Sequence, residues 1–410
     1  MKSTDQKELP IGIIGAGPIG LAAAAHLHEQ GLPFYVFEAG SHVGSNFLDY
    51  KHVRLFSPWK FNVDPASREI LKRNGWTEPV EKRLPYAGDI YTDYLHPLSQ
   101  TSELEPHIHL NAKVVSIGRK HIDKSKRAER SDHPFVIKAI QDGALETYEV
   151  RAVIDASGTW QTPNPLMSGG YYSQAEEQAK DAIMYGIPDV LGKGKERYEG
   201  KHTLVVGSGH SAINTVIQLG ELKKQAPETT ISWVIRKPDF SFIPALSKNR
   251  FLAQYRLGEK IERLMSKQSI DCFSSFYIED LTESNGKLDV IAANHERVEG
   301  IDQIVVNTGA RPNIDMFREV QYSLHPSAEC VEGIAQLLFE KRGVVQPHGE
   351  KQLRHMEKDF YIIGSKSFGR ASSFFLMNGF EQARSIAAYL NGKIEEAEEV
   401  QIKFPDEWLQ

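Results

Sequence analysis

The feature that most narrows the folds open to this chain is a glycine hexad, Gly15-Ala16-Gly17-Pro18-Ile19-Gly20, set between two different periodicities. Before it, Ile11-Gly12-Ile13-Ile14 reads as a short buried strand. After it, Leu21-Ala22-Ala23-Ala24-Ala25-His26-Leu27 is a strong helix former. A second predicted strand, Pro33-Phe34-Tyr35-Val36-Phe37, ends at Glu38, 23 residues beyond Gly15. A GxGxxG in this strand–turn–helix–strand frame, closed by an acid, is the dinucleotide-binding fingerprint. Gly15 permits the tight turn, and Gly17 lets backbone amides approach a pyrophosphate. Gly20 lets the helix lie close to the sheet, and the helix N-terminus favours the phosphate charge. Glu38 is placed to accept hydrogen bonds from the ribose hydroxyls.

A second fingerprint begins 192 residues later. Lys201 to Val206 reads as a strand, Gly207-Ser208-Gly209-His210-Ser211-Ala212 is the GxGxxA form, and Ile213 to Leu222 continues as a helix. The next strand, Ile231 to Ile235, ends in Arg236-Lys237 rather than in an acid. A carboxylate there would repel a 2′-phosphate, whereas a guanidinium holds one in bidentate fashion, so this site reads as NADPH-preferring. Each fingerprint is followed by a strand with a small-residue turn, Val153 to Thr159 and Ile304 to Gly309. The 101 residues after Gly309 are too few for a third domain of this kind. They hold one strand, Phe360 to Gly364, and a helix from about Ser373 to Leu390. Its stripe of Phe375, Leu376, Phe380, Ala383, Ile386, Ala387 and Leu390 faces a core, and Gly392 stops it. The expected fold class is α/β, with two Rossmann-like domains. The second, at 166–320, is inserted into a first domain made of 1–165 and 321–410.

Charge and cysteine content remove other classes. Lys plus Arg is 48 against 54 acidic residues, a net charge of −6, which leaves no footprint for nucleic acid or an anionic membrane. Cys272 and Cys330, 58 residues apart, cannot form a disulfide framework, a CxxC pair or a thiolate zinc site. Residues Met1 to Pro10 lack a signal-peptide pattern, and the weakly polar stretch Ile11 to Ala25 is too short to span a bilayer. A cytoplasmic location is expected. Fifteen histidines include no HExxH, and His107-Ile108-His109 reads as surface polarity. His210, inside the second fingerprint, either faces nicotinamide or flavin or orients its loop. The basic stretch Arg119 to Arg130 reads as a solvated hairpin loop between predicted strands at 112–117 and 134–140. The segment Pro244 to Lys267 reads as a helix packed on the second domain, with an amphipathic lid over a substrate pocket or a partner surface as the alternatives. The end, Ile394 to Val400 and Phe404 to Leu409, is expected to tuck onto a neighbour.

The paired fingerprints, together with Lys51-His52-Val53-Arg54-Leu55-Phe56-Ser57-Pro58-Trp59, Asp155 to Trp160 and Gly364 to Arg370, resemble the CzcO-like flavoproteins. These are similar to flavin-containing (class B) monooxygenases, and the resemblance covers nearly the whole chain. It implies FAD in the first domain and NADPH in the second. Arg54, Ser57 and Trp59 would then neighbour the flavin ring, and Val114, Ala156, Gly158, Gly309, Gly364 and Ser365 would join the two hexads, Glu38, Arg236 and Lys237 in holding the cofactors. Three departures stand out. There is no CxxC or CxxxxC, Ser365 replaces the usual aspartate, and Ala182 to Val190 does not match the FxGxxxHxxxW signature. The implied activity is an NADPH-dependent FAD monooxygenase that forms a C4a-hydroperoxyflavin and oxygenates a small nucleophilic or carbonyl substrate, with O2 as co-substrate. The alternative is a reductase passing electrons to a non-thiol acceptor: a quinone, a metal or metalloid species, or a protein. A redox-reading regulator is a third reading. No catalytic acid–base pair is visible, no nucleic-acid, membrane or metal partner is expected, and homo-oligomerisation is left open.

Overall fold

The apolar runs beside each glycine turn become parallel strands, buried throughout in β1 and β7 and at all but the first residue in β9 and β15, as a sheet covered on both faces requires. This is seen in a computed structural model, described over residues 7–126, 128–246, 252–267, 269–340 and 345–405. In chain order the strands are β1 (Ile11–Ile14), β2 (Phe34–Phe37), β3 (Ile108–His109), β4 (Ala112–Arg119), β5 (Phe135–Gln141), β6 (Ala144–Val150), β7 (Ala152–Asp155) and β8 (Ile183–Tyr185). There follow β9 (His202–Val206), β10 (Thr230–Val234), β11 (Asp271–Phe273), β12 (Ile278–Ser284), β13 (Lys287–Ala292), β14 (Arg297–Ile301), β15 (Gln303–Val306) and β16 (Phe360–Ile362). The longer helices are α1 (Pro18–Glu29), α2 (His210–Gln225), α3 (Leu252–Ser266) and α4 (Leu376–Leu390).

The first unit comprises Met1–Lys51, Ser57–Thr162 and Arg311–Gln410. Its parallel sheet has the order β16-β7-β1-β2-β3, and a three-stranded antiparallel sheet β4-β5-β6 packs against it. The fit is tight: a methyl group on Gly12 of β1 would overlap the Ile137 side chain of β5. Helices α1 and α4 pack equally closely, since a Cβ on Gly379 would sit 2.5 Å from Ile19. Helix α4 starts at Leu376, three residues later than the apolar pattern predicts, because the Asn378 side chain accepts the Phe375 amide at 3.0 Å.

The second unit comprises His52–Phe56 and Pro163–Ala310, with a parallel sheet of order β11-β10-β9-β15-β8. Alternate residues of one strand serve two cores. Leu204 and Val206 face a core shared with the antiparallel sheet β12-β13-β14. Val205 faces the other core, with Val216 of α2 and Leu257 and Ile261 of α3. The 252–266 segment is therefore a helix packed on this unit; residues 247–251 of the Pro244 to Lys267 stretch lie outside the described residues. The units divide at Thr162/Pro163 and Ala310/Arg311, where the sequence reading set 165/166 and 320/321. Local bonds account for the difference. The Asn164 amide donates to Gly309 at 2.9 Å and Pro163 bridges Ala310, whereas Phe317 is buried against Phe360 of the first unit.

Two surface expectations are corrected and a third is made specific. The basic stretch is not a solvated loop at its ends: Arg119 and Arg130 are buried and both bind Glu357. Arg127 lies outside the described residues. His107 and His109 are half-buried on β3, packed on Phe34 and Phe37, and burial lowers the pKa of each. The C-terminal segment folds back on its own chain. Arg384 of α4 donates to the Glu396 and Glu399 carbonyls, and Phe404 packs on Phe375. Residues 406–410 lie outside the described residues. No helix among the described residues is long and apolar enough to cross a membrane, and none of their side chains cluster as metal ligands.

Candidate functional site

In an open parallel sheet, ligands bind beyond the carboxyl ends of the strands, where the strand order reverses. In the first unit this point lies between β1 and β7, and the first hexad sits there. Gly15 has φ +92°, and a Cβ on it would lie 2.9 Å from the Ala156 carbonyl oxygen. Only glycine suits both demands. A Cβ on Gly20 would overlap the Gly15 carbonyl oxygen itself, so this glycine holds the helix against its own turn rather than against the sheet. A Cβ on Gly17, by contrast, would meet nothing within 4 Å. Gly17 is also the N-cap of α1 and offers no side-chain cap; Pro18 follows at the first helical position, and no acid occupies the first turn. The leading helix amides are thus left without intrahelical partners beside open space, a cradle that suits a phosphate.

Glu38 is already engaged. Its carboxylate accepts the Ala16 amide and the Gly40 amide, each at 2.8 Å, bracing the hexad against the end of β2. Each carboxylate oxygen keeps a second lone pair for a ribose hydroxyl. The Glu38 carbonyl accepts the Ala112 amide, which brings the start of β4 and Val114 to the same strand end. Ile19 lines the other side: a Cβ on Gly364 would lie 3.3 Å from it. A Cβ on Gly158 would lie 3.5 Å from the Ser365 hydroxyl, so the turns after β7 and β16 abut. Ser57 donates to the Asn62 side chain at 2.7 Å. Trp59 begins a 3-10 turn and is 1% exposed, yet its indole N–H has no hydrogen-bond partner among the described residues. A buried donor left unsatisfied is costly, and a bound group would satisfy it.

The second hexad repeats the construction between β9 and β15 of the second unit. Gly207 has φ +129°, and its Cβ would overlap the Asn307 carbonyl. Asn307 in turn donates to the Gly186 carbonyl, and the Trp233 indole donates to that of Gly207 at 2.7 Å. A Cβ on Gly209 would meet nothing within 4 Å, and Gly209 is an N-cap without a side-chain cap. Ser208 and Ser211 flank it half-buried, and Ala212 is buried in the helix core. The His210 ring packs on Phe56 with its Nε2 buried and without a hydrogen-bond partner among the described residues, and burial lowers its pKa, which favours the neutral ring. Arg236 is exposed one residue past Ile235, and the neighbouring Lys237 ammonium lies over the Phe242 ring. Gly309 is fastened to Asn164, and Arg54 is exposed on the 52–56 segment. The predicted residues therefore fall into two clusters, one in each unit.

Two residues that fingerprint reasoning assigned no role lie beside the first cluster. Asp155 at the end of β7 and Lys366 after β16 form a fully buried ion pair at 2.6 Å. No local pattern marks either one.

Comparison with known proteins agrees with this geometry. Residues 12–330 match the family model described as pyridine nucleotide-disulphide oxidoreductase. The probable indole-3-pyruvate monooxygenase YUCCA9 of Arabidopsis thaliana is 26% identical over 209 residues, covering 50% of this chain and 43% of that protein. The chain spans about half the length of the curated relatives it matches. Among solved structures, the bacillithiol disulfide reductase Bdr (YpdA) from Bacillus cereus has a TM-score of 0.67 at 17% identity, covering 94% of this chain and 99% of that one. The FAD-bound cadaverine monooxygenase DfoA from Erwinia amylovora has a TM-score of 0.64 at 11% identity, with 97% of each chain covered. The two cradles agree with the matched family, whose description names a pyridine nucleotide and an oxidoreductase. The chain belongs to the pyridine nucleotide-disulphide oxidoreductase family.

Proposed function

We propose that the chain is an NADPH-dependent FAD monooxygenase that oxygenates a small nucleophilic or carbonyl substrate. The observation carrying this reading is the presence of two glycine cradles open at Gly17 and Gly209 in a chain whose two cysteines are both free. Cys330 is buried, which pushes its thiol up to about 11, so it is no thiolate at neutral pH. That argues against dithiol transfer of the electrons, and it leaves oxygen or another non-thiol acceptor. The curated relatives with monooxygenase names favour oxygen.

When bound, NADPH supplies a hydride and FAD passes the electrons onward. The chain's own work is binding and placement. The α1 amides and Gly17 would hold the FAD pyrophosphate, and Glu38 its ribose. Val114, Ala156, Gly158, Gly364 and Ser365 would line the same cofactor, and Ser57 and Trp59 would stand near its ring; Arg54 belongs to the second unit. Gly209, Ser208, Ser211 and the α2 amides would hold the NADPH pyrophosphate, with Arg236 and Lys237 on the 2′-phosphate. Replacing Arg236 with Ala is expected to cut the preference for NADPH over NADH by about 10- to 100-fold, the worth of one or two charge-assisted hydrogen bonds. Binding titrations with both nucleotides measure it, and an unchanged ratio would remove the 2′-phosphate assignment. The two free cysteines support, as part of this proposal, a reducing, cytoplasmic setting.

One observation favours the second reading, a reductase acting on a quinone, a metal or metalloid species, or a protein. The segment 182–190 carries edge strand β8 in place of the monooxygenase signature. The deciding experiment is anaerobic reduction of the purified protein with NADPH, then rapid mixing with oxygen under continuous spectral recording. The monooxygenase gives a transient spectrum that is neither oxidised nor reduced flavin and persists while NADP⁺ stays bound. A direct return to oxidised flavin with stoichiometric peroxide selects the reductase. A protein that binds no FAD overturns both.

A further inference from the structure

Taking two charges out of water costs desolvation that their attraction need not repay, and in some proteins such a pair fixes a geometry. The first unit holds one at the cofactor side of its sheet. The Lys366 ammonium, with no exposed surface, donates to Asp155 Oδ2 at 2.6 Å and to the Ser157 hydroxyl at 3.0 Å, and stands 5.1 Å from the centre of the Phe317 ring. Asp155 uses its other oxygen on the same turn, accepting the Ser157 hydroxyl at 2.6 Å and the Ser157 amide at 3.1 Å. The Asp155 carbonyl accepts the Ile363 amide, just before Gly364. Every bond of this cluster therefore runs within or between two turns, 155–158 after β7 and 363–366 after β16. Those are the turns in which Ala156, Gly158, Gly364 and Ser365 sit.

The turn after β16 is fixed from its other side as well. The Gly364 amide donates to the Gln382 side chain at 2.8 Å, and the Ser367 hydroxyl to the Gly364 carbonyl at 2.7 Å. Ser365 stands between the two anchors, with its hydroxyl near Gly158 and without the carboxylate that would grip a ligand by charge. A neutral side chain there depends on placement, because its single hydroxyl must meet its partner in one orientation.

We propose that Lys366, with Asp155 and Ser157, is a positioning group for FAD, locking the two turns into the spacing that the bound cofactor requires. This rests on the reading of the first cradle as the FAD site. Lys366 does not itself touch the cofactor in this role; it acts through the turns.

The test separates positioning from folding. In the double variant Asp155→Asn with Lys366→Met, both buried charges are removed together, so no lone charge is left inside. Its apoprotein is expected to melt within a few degrees of the wild-type apoprotein, with FAD bound at least about tenfold more weakly, the worth of one or two hydrogen bonds at the site. The visible bands of its residual bound flavin are expected to shift. Ser157→Ala, which keeps the ion pair, is the milder check and is expected to weaken FAD about threefold to tenfold with the same melting point. An unchanged FAD affinity and spectrum in these variants would overturn the proposal, whether or not the melting point falls, since the pair would then serve stability alone. If the double variant does not fold, Ser157→Ala decides. Wild-type protein that takes up no FAD would instead overturn the underlying site reading, a failure seen on the unaltered chain.

Discussion

Alanine at position 20 is expected to yield a chain that carries no flavin and melts well below the wild type. The added methyl would lie inside the Gly15 carbonyl oxygen, a backbone atom that cannot turn aside. Relief requires α1 to move off its own turn, which breaks the Ala16–Glu38 brace and pulls the helix amides from their positions. Strain of this kind costs roughly 2–4 kcal/mol, enough to lower the melting point by several degrees in a chain of this length. Alanine at position 17 provides the contrast. Its methyl meets nothing within 4 Å, so the apoprotein is expected to melt like wild type. The methyl nevertheless stands in the space that the pyrophosphate would take, and FAD affinity is expected to fall about 100-fold, from lost amide–phosphate bonds. The ratio of flavin to protein absorbance, with apoprotein melting, reads both effects. Full FAD affinity in Gly17→Ala would show that the cradle is not the phosphate site.

The second large effect is expected far from any glycine. Glu357 is 1% exposed at its side chain and is ion-paired with two buried guanidiniums. Its Oε1 accepts Arg119 Nε at 2.9 Å, and its Oε2 accepts Arg130 Nη2 at 2.5 Å. The two arginines also bind the carbonyls of His133, Lys358, Asp123 and Glu319, and Arg119 covers the Phe135 ring. Glu357→Gln keeps the shape and removes the charge, leaving the two cations without the carboxylate that both contact and with the more distant Asp359 and Asp123 nearby. The expected loss is about 3–5 kcal/mol, as when one partner of a buried pair is removed. Chemical denaturation of the apoprotein measures it, and a loss under 1 kcal/mol would mean that the carbonyls alone suffice.

A pH signature accompanies this change. Burial pushes the Glu357 carboxyl up, but hydrogen bonds from Arg130 and Arg119 outweigh it, and the pKa lies below its ordinary 4.5. A carboxyl depressed in the folded state contributes stability that is complete above its unfolded value and is lost as pH falls through the folded one. Wild type is therefore expected to lose this part of its stability below about pH 4.5, and Glu357→Gln to lack that part of the acid loss.

The nucleotide architecture was legible because its signals are local. Gly15 and Gly207 take positive φ within a single turn, Glu38 ends the next strand, and the apolar runs of β1 and β9 are short and unbroken, as doubly covered strands must be. The insertion of one unit into the other was legible too, since a lone strand and helix after Gly309 need an existing sheet. Helix α4 was misjudged only at its start, where one asparagine side chain set the boundary. The basic stretch misled for a different reason. Nothing near Arg119 or Arg130 distinguishes them from solvated charges, and their shared partner Glu357 lies more than 220 residues away. Asp155 and Lys366 are 211 residues apart and equally silent. Backbone conformation is chosen by neighbouring residues and can be read from their order. Which charges are withdrawn from water, and which partner pays for each, is decided only when β7 and β16 come to lie side by side in one sheet.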